Sequence, residues 1–159
     1  MNLLRTCIRE MLAEISLGQG YGIKYTALVL DPLHEGTKML KAMVPQGWTP
    51  YGHHMTIINP TNQNRRLPGR WLGAKLCFKV TGIAQGPMVM TALVDLGNTP
   101  LPMRGNVYPH VTIATNPPDG KPEMSKWKFE PVIGDKSNQF KVPKSGPFVI
   151  CGTIEEIMR

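Results

Sequence analysis

Acidic residues are missing from a long central window: between Glu35 and Asp95 the 159-residue chain has neither aspartate nor glutamate. Lys38, Lys41, Arg65, Arg66, Arg70, Lys75 and Lys79 fall in that window and match the whole formal net charge of +7. So one-sided a field suits a phosphate-bearing partner. The plainer reading is a solvated basic face that maintains solubility, and on charge alone it stands slightly ahead. Long apolar runs are missing too. No stretch of about 18 such residues exists, which excludes a transmembrane helix and a membrane partner of that kind. Cysteine is scarce: Cys7, Cys77 and Cys151 are odd in number and far apart. That spacing offers neither a disulfide framework nor a CxxC metal site, and it predicts small buried thiols in a reducing compartment. Arg5, Arg9, Glu10 and Glu14 interrupt any apolar leader core in the opening stretch, so a cytoplasmic address is expected.

What is present is enough for a core. Residues are 42% hydrophobic and 18% charged, which sets the chain apart from disordered tails. Its length suits a single domain over 1–159, given roughly 100–200 residues per domain. Glycine (16) and proline (15) punctuate short apolar runs, favouring strands and turns over a helical bundle. Leu4, Ile8, Met11, Leu12 and Ile15 recur at helical spacing over 3–15, and Gly18, Gly20 and Gly22 stop that helix. A second, shorter helix is expected over 33–43. Strands are expected at 24–30, 54–58, 74–83, 88–96, 109–115 and 147–154, with a basic loop over 59–70 and a mostly irregular stretch around Trp127. The pattern reads as α+β with largely antiparallel strands.

An internal echo runs through it. The tetrapeptide TALV occurs at Thr26–Val29 and again at Thr91–Val94. Each copy precedes a Tyr-x-His approach to a short strand: Tyr51-Gly52-His53-His54-Met55-Thr56-Ile57, then Tyr108-Pro109-His110-Val111-Thr112-Ile113. Two similar lobes facing each other would bring the two HxT strands side by side.

Residues two apart on a strand share a face. His54 and Thr56 then point one way and Met55 and Ile57 the other; His110 and Thr112 repeat the pattern against Val111 and Ile113. Two imidazoles and two hydroxyls in one cleft suit phosphodiester cleavage. One imidazole takes a proton from water or a ribose hydroxyl and the other protonates the leaving oxygen. The threonine hydroxyls donate to non-bridging oxygens as charge builds on phosphorus. Neither step demands a metal or another cofactor, and which histidine is acid and which base stays open. A single HxT reads more simply as a hydrogen-bonded structural histidine; it is the pair that shifts the balance. Alternation sends His53 to the face opposite His54, a structural or rim position, and His34 reads as a surface residue. A zinc site from His53, His54 and His110 ranks low because no carboxylate or cysteine completes it.

The segments YTALVLD, GWTPYGHHMTI, the second TALV, YPHVTIAT and Gly120-Lys121-Pro122-x-x-Ser125 resemble the two-histidine (2H) phosphoesterase superfamily. The nearest likeness is to the cyclic-phosphodiesterase domain of fungal tRNA ligase, and that branch also resembles small phage proteins of the anti-CBASS type. The likeness covers roughly residues 24–126. It implies a single-domain bilobal α+β fold in which two largely antiparallel sheets line a central cleft, with helices outside. It also implies a metal-independent phosphodiesterase in which His54 and His110 are the catalytic pair and Thr56 and Thr112 the phosphate binders. Tyr25 (stacking on a base), Lys121 and Ser125 are further substrate-binding candidates; core packing for Tyr25 and turn or surface roles for the other two are the plainer readings. Trp48 reads as a packing residue, and Arg65, Arg66 and Arg70 as long-range sensors of phosphate.

Cyclic di- or trinucleotide immune signals are the favoured substrate. An RNA end carrying a 2′,3′-cyclic phosphate is the alternative, and a nucleotide-binding module without turnover the third reading. The N-terminal helix and the C-terminal tail match no motif of the family, so base and linkage specificity stay open.

Overall fold

A computed structural model describes residues 23–58, 69–103, 108–117, 120–121 and 143–158. Short β-branched runs become strands, and the glycines and prolines between them become turns. In chain order the elements are β1 (Ile23–Leu30), α1 (Glu35–Ala42), β2 (Thr49–Pro50), β3 (His54–Ile58), β4 (Lys75–Gln85), β5 (Val89–Asp95), β6 (His110–Thr115) and β7 (Phe148–Met158). Every strand expected from the sequence is there to within a few residues at its ends. The helix expected over 3–15 lies outside the described residues, as do Arg65, Arg66, Ser125 and Trp127.

All strand pairings are antiparallel, and they close on themselves. Around the ring the order is β6-β3-β1-β7-β4-β5 and back to β6, a six-stranded barrel, with two-residue β2 laid against the far end of β6. Alternate residues of each strand fill its interior, among them Leu28, Met55, Ile57, Phe78, Val80, Ala92, Val111, Ile113, Ile150 and Ile154. Closure removes the sheet edges that would otherwise need protection.

This overturns the bilobal α+β fold with a cleft between two sheets and helices outside. The physical reason is the β5–β6 ladder. Thr91 pairs with Thr112, Ala92 with Val111 and Leu93 with His110, so the strands of the two expected lobes zip into one wall. The TALV echo does not mark equivalent positions either. Leu28 faces the core, where it pairs with Met55, whereas Leu93 pairs with half-buried His110 on the outer face. The copies differ in register, which puts Leu28 inside and Leu93 outside.

Helix α1 is short and tightly seated. His34, half-buried and not merely a surface residue, caps it: its Nδ1 accepts the Gly36 N–H at 3.1 Å. Leu40 reaches the core. Gly36 lies against β7 so closely that a Cβ there would stand 1.8 Å from the Val149 carbonyl oxygen. Backbone cannot yield as a flexible side-chain tip can. Gly36→Ala is therefore expected to destabilise the protein by at least the ~1–3 kcal/mol typical of overpacking, read as a lower urea midpoint.

The cysteines also depart from expectation. Cys77 and Cys151 are register partners on β4 and β7, with Cα atoms 4.1 Å apart, and form a disulfide. Cys77 is exposed on the outer face and is not a buried thiol. Cys7 lies outside the described residues.

Candidate active site

The two HxT strands are neighbours. β3 and β6 run antiparallel with Met55 opposite Val111, both fully buried. Burial alternates identically at the start of each strand: His54 and Thr56 are half-buried while Met55 and Ile57 are buried, and His110 and Thr112 repeat this against Val111 and Ile113. The antiparallel sense carries Thr56 toward His110 and His54 toward Thr112. Four polar side chains thus share the outer wall of the barrel, with the core directly behind them.

Flanking strands complete the patch. On one side Val29 pairs with His54 and Ala27 with Thr56; on the other Leu93 pairs with His110 and Thr91 with Thr112. Thr91 is fully buried and donates its hydroxyl to the Val111 carbonyl at 3.1 Å, pinning β5 to β6 beside Thr112.

Each histidine is held differently. His110 Nδ1 lies 2.8 Å from the Tyr108 carbonyl. A carbonyl only accepts, so Nδ1 carries the proton and Nε2 of the neutral ring keeps its lone pair. Burial lowers the His110 pKa below the usual histidine value, opposed in part by that hydrogen bond. The ring is therefore neutral near pH 7 and suited to take a proton through Nε2. His54 is held by rings: Tyr25 stacks on it at 5.1 Å with 25° between planes, and His53 leans on it at 4.6 Å and 54°.

His53 is where strand alternation misleads. The consecutive N–H groups of Tyr51 and Gly52 donate to the Ile113 and Thr112 carbonyls, and Met55 then pairs with Val111. From Gly52 to Met55 the first strand advances three residues while its partner advances one. His53 and His54 fill this bulge, which Gly52 enters with φ +32°. The bulge brings their rings together where alternation would send them to opposite faces. Like His110 to Tyr108, His53 donates its Nδ1–H to the Tyr51 carbonyl. The orienting carbonyls were not among the residues expected to matter, though the repeated Tyr-x-His spacing was their visible signal.

Of the remaining candidates, Tyr25 joins the site through its stack on His54. Lys121 follows a stretch whose backbone is tied down past the end of β6. The Gly120 N–H donates to the Asn116 carbonyl and the Asn116 N–H to the Met88 carbonyl, both at 2.9 Å, tying this stretch beyond the distal end of β6. At about 3.3 Å per residue, Thr115 already stands some 16 Å from His110. A Cβ at Gly120 would come within 2.3 Å of the Met88 carbonyl oxygen, so a larger residue could not make this approach. Ser125 lies outside the described residues. Trp48 packs against the core, and Arg70 sits over the Trp71 ring at 5.7 Å.

Among the described residues no three His, Cys, Asp or Glu side chains are grouped to hold a metal ion. Nor is any helix among them long and apolar enough to cross a membrane. Neither family models nor curated proteins match the chain.

Proposed function

We propose that the protein is a phosphodiesterase that hydrolyses cyclic nucleotides without a metal, with cyclic di- or trinucleotides the favoured substrates. One observation carries the reading: two HxT motifs on paired strands present two imidazoles and two hydroxyls on one face, with one imidazole tuned to be neutral and oriented by a carbonyl. His110 Nε2 takes a proton from water, and the water oxygen forms a new bond to phosphorus. The P–O bond to the leaving ribose oxygen breaks, and His54 gives that oxygen its proton. Thr56 and Thr112 donate to the non-bridging oxygens, where charge accumulates. The ring opens to a linear product, and one proton passes from His110 to His54 by way of solvent before the next turnover. The proposed address is the cytoplasm, where such signals would be met.

Chromatography with mass detection tests this against cyclic dinucleotides, cyclic trinucleotides, 2′,3′-cyclic mononucleotides and an RNA ending in a 2′,3′-cyclic phosphate. Fast linearisation of the cyclic oligonucleotides in excess EDTA is the expected result. Turnover of the 2′,3′-cyclic ends alone would make the protein an RNA-end enzyme, and tight binding with no turnover would make it a receptor. Loss of activity in EDTA that zinc restores would overturn the metal-free mechanism. The profile of kcat/KM against pH should be bell-shaped. Because burial lowers the His110 pKa, its acidic limb should fall below the usual histidine value of about 6.5.

A further inference from the structure

Resting on the phosphodiesterase reading, we propose that His53 is a substrate-binding residue, the outer imidazole of an anion subsite that holds a phosphate oxygen beside His54. Three observations carry it. The bulge brings an exposed ring to within 4.6 Å of the His54 ring. Nδ1 is committed to the Tyr51 carbonyl, and the Tyr51 ring stacks behind at 6.4 Å and 24°, so the imidazole is fixed in place without being buried. A fixed, solvated imidazole whose other nitrogen is uncommitted among the described residues is what recognition of an anion needs. Protonated, Nε2–H donates to a phosphate oxygen while Nδ1–H stays on the carbonyl; the same carbonyl bond serves both charge states.

Anion binding should therefore be linked to proton uptake at His53. The titratable groups surrounding that event are Tyr51 and His54 on its own segment, and Tyr25 of β1, stacked on His54. Asp31 also belongs here: it follows Leu30, whose N–H bonds the His53 carbonyl at 2.9 Å. Across the wall stands His110, and His34 caps α1 just past Asp31. Among the described residues Asp31 is the single carboxylate in this group, and its Oδ1 accepts the Leu33 N–H at 2.9 Å. An incoming phosphate is thus the anion best able to stabilise a His53 cation next to His54.

The experiment uses the intact chain, inorganic phosphate as the binding probe and a 3′,3′-cyclic dinucleotide as substrate. Imidazole nitrogen NMR should show His53 moving toward its protonated form as phosphate is added. His53→Phe keeps a ring against His54 but has no donor; His53→Gln keeps a neutral donor. KM should rise in H53F by the tenfold to roughly hundredfold expected for one hydrogen bond to a charged group, with kcat changed less than about threefold. H53Q should recover part of that loss and abolish the rise of KM with pH. An unchanged KM in H53F, or a His53 ring untouched by phosphate, overturns the proposal. If no substrate is turned over yet phosphate still protonates His53, the phosphodiesterase reading falls and the anion subsite stands. His53 is exposed, so both variants should melt with the parent.

Discussion

His110→Ala is expected to lower kcat for cyclic-nucleotide hydrolysis by about 100-fold or more while the melting temperature changes little, and His54→Ala to do the same. The size follows from the roles. Removing the base leaves water as its own proton acceptor, and removing the acid makes the ribose oxygen leave as an alkoxide. The fold should tolerate both changes because the two rings lie on the half-buried outer wall, while the core is filled by Met55 and Val111 behind them. The pair can also be told apart. Loss of His110 should remove the acidic limb of the pH profile, since its lowered pKa governs that limb. Loss of His54 should remove the alkaline limb. Leaving groups of lower pKa need less protonation, so an activated nitrophenyl phosphodiester should rescue H54A more than H110A. Near-normal kcat in either variant would take that histidine out of the pair, and identical rescue of both would dissolve the assignment of roles.

How much of this could be read from the chain depended on how local each feature is. Strands are local: period-two alternation at His54–Ile58 and His110–Thr115 located β3 and β6 and showed which side chains share a face. Closure is not local. Nothing in the Thr91–Val94 segment announces that it will pair with β6, and the resemblance of its letters to Thr26–Val29 suggested a second lobe. In the structure that resemblance is out of register, and β5 joins the first wall to the last strands to make a barrel. The bulge at His53 was hidden for a related reason. A two-residue insertion between Gly52 and Met55 can be recognised only against the partner strand, where Thr112 and Val111 are adjacent. The second motif and Lys121 are close in sequence, but a strand carries the chain away from its own start, and the Asn116 and Gly120 N–H bonds hold the backbone before Lys121 past the end of β6.

Reducing the Cys77–Cys151 disulfide is expected to cost about 2–4 kcal/mol, the usual contribution of a native bridge. Neither cysteine is useful to the core: Cys77 is exposed, Cys151 half-buried, and both lie on the outer face between β4 and β7. Their contribution must come through the loop of 74 residues that they close. That loop contains β5, β6 and the whole second HxT motif, so the bridge restricts the unfolded chain across half of the proposed site. Cys77→Ser/Cys151→Ser should accordingly lower the urea midpoint with the slope of unfolding raised, because the unlinked chain exposes more surface. Dithiothreitol should reproduce the shift in the parent and do nothing to the double variant. Equal midpoints with and without reductant would show that the bridge is absent or energetically idle. The outcome also bears on where the protein works. Disulfides are short-lived in a reducing cytosol, and this one is open to thiols on its Cys77 side. If reduction costs the expected amount, an enzyme acting in the cytoplasm would operate as the less stable dithiol form, and its activity should be measured with reductant present.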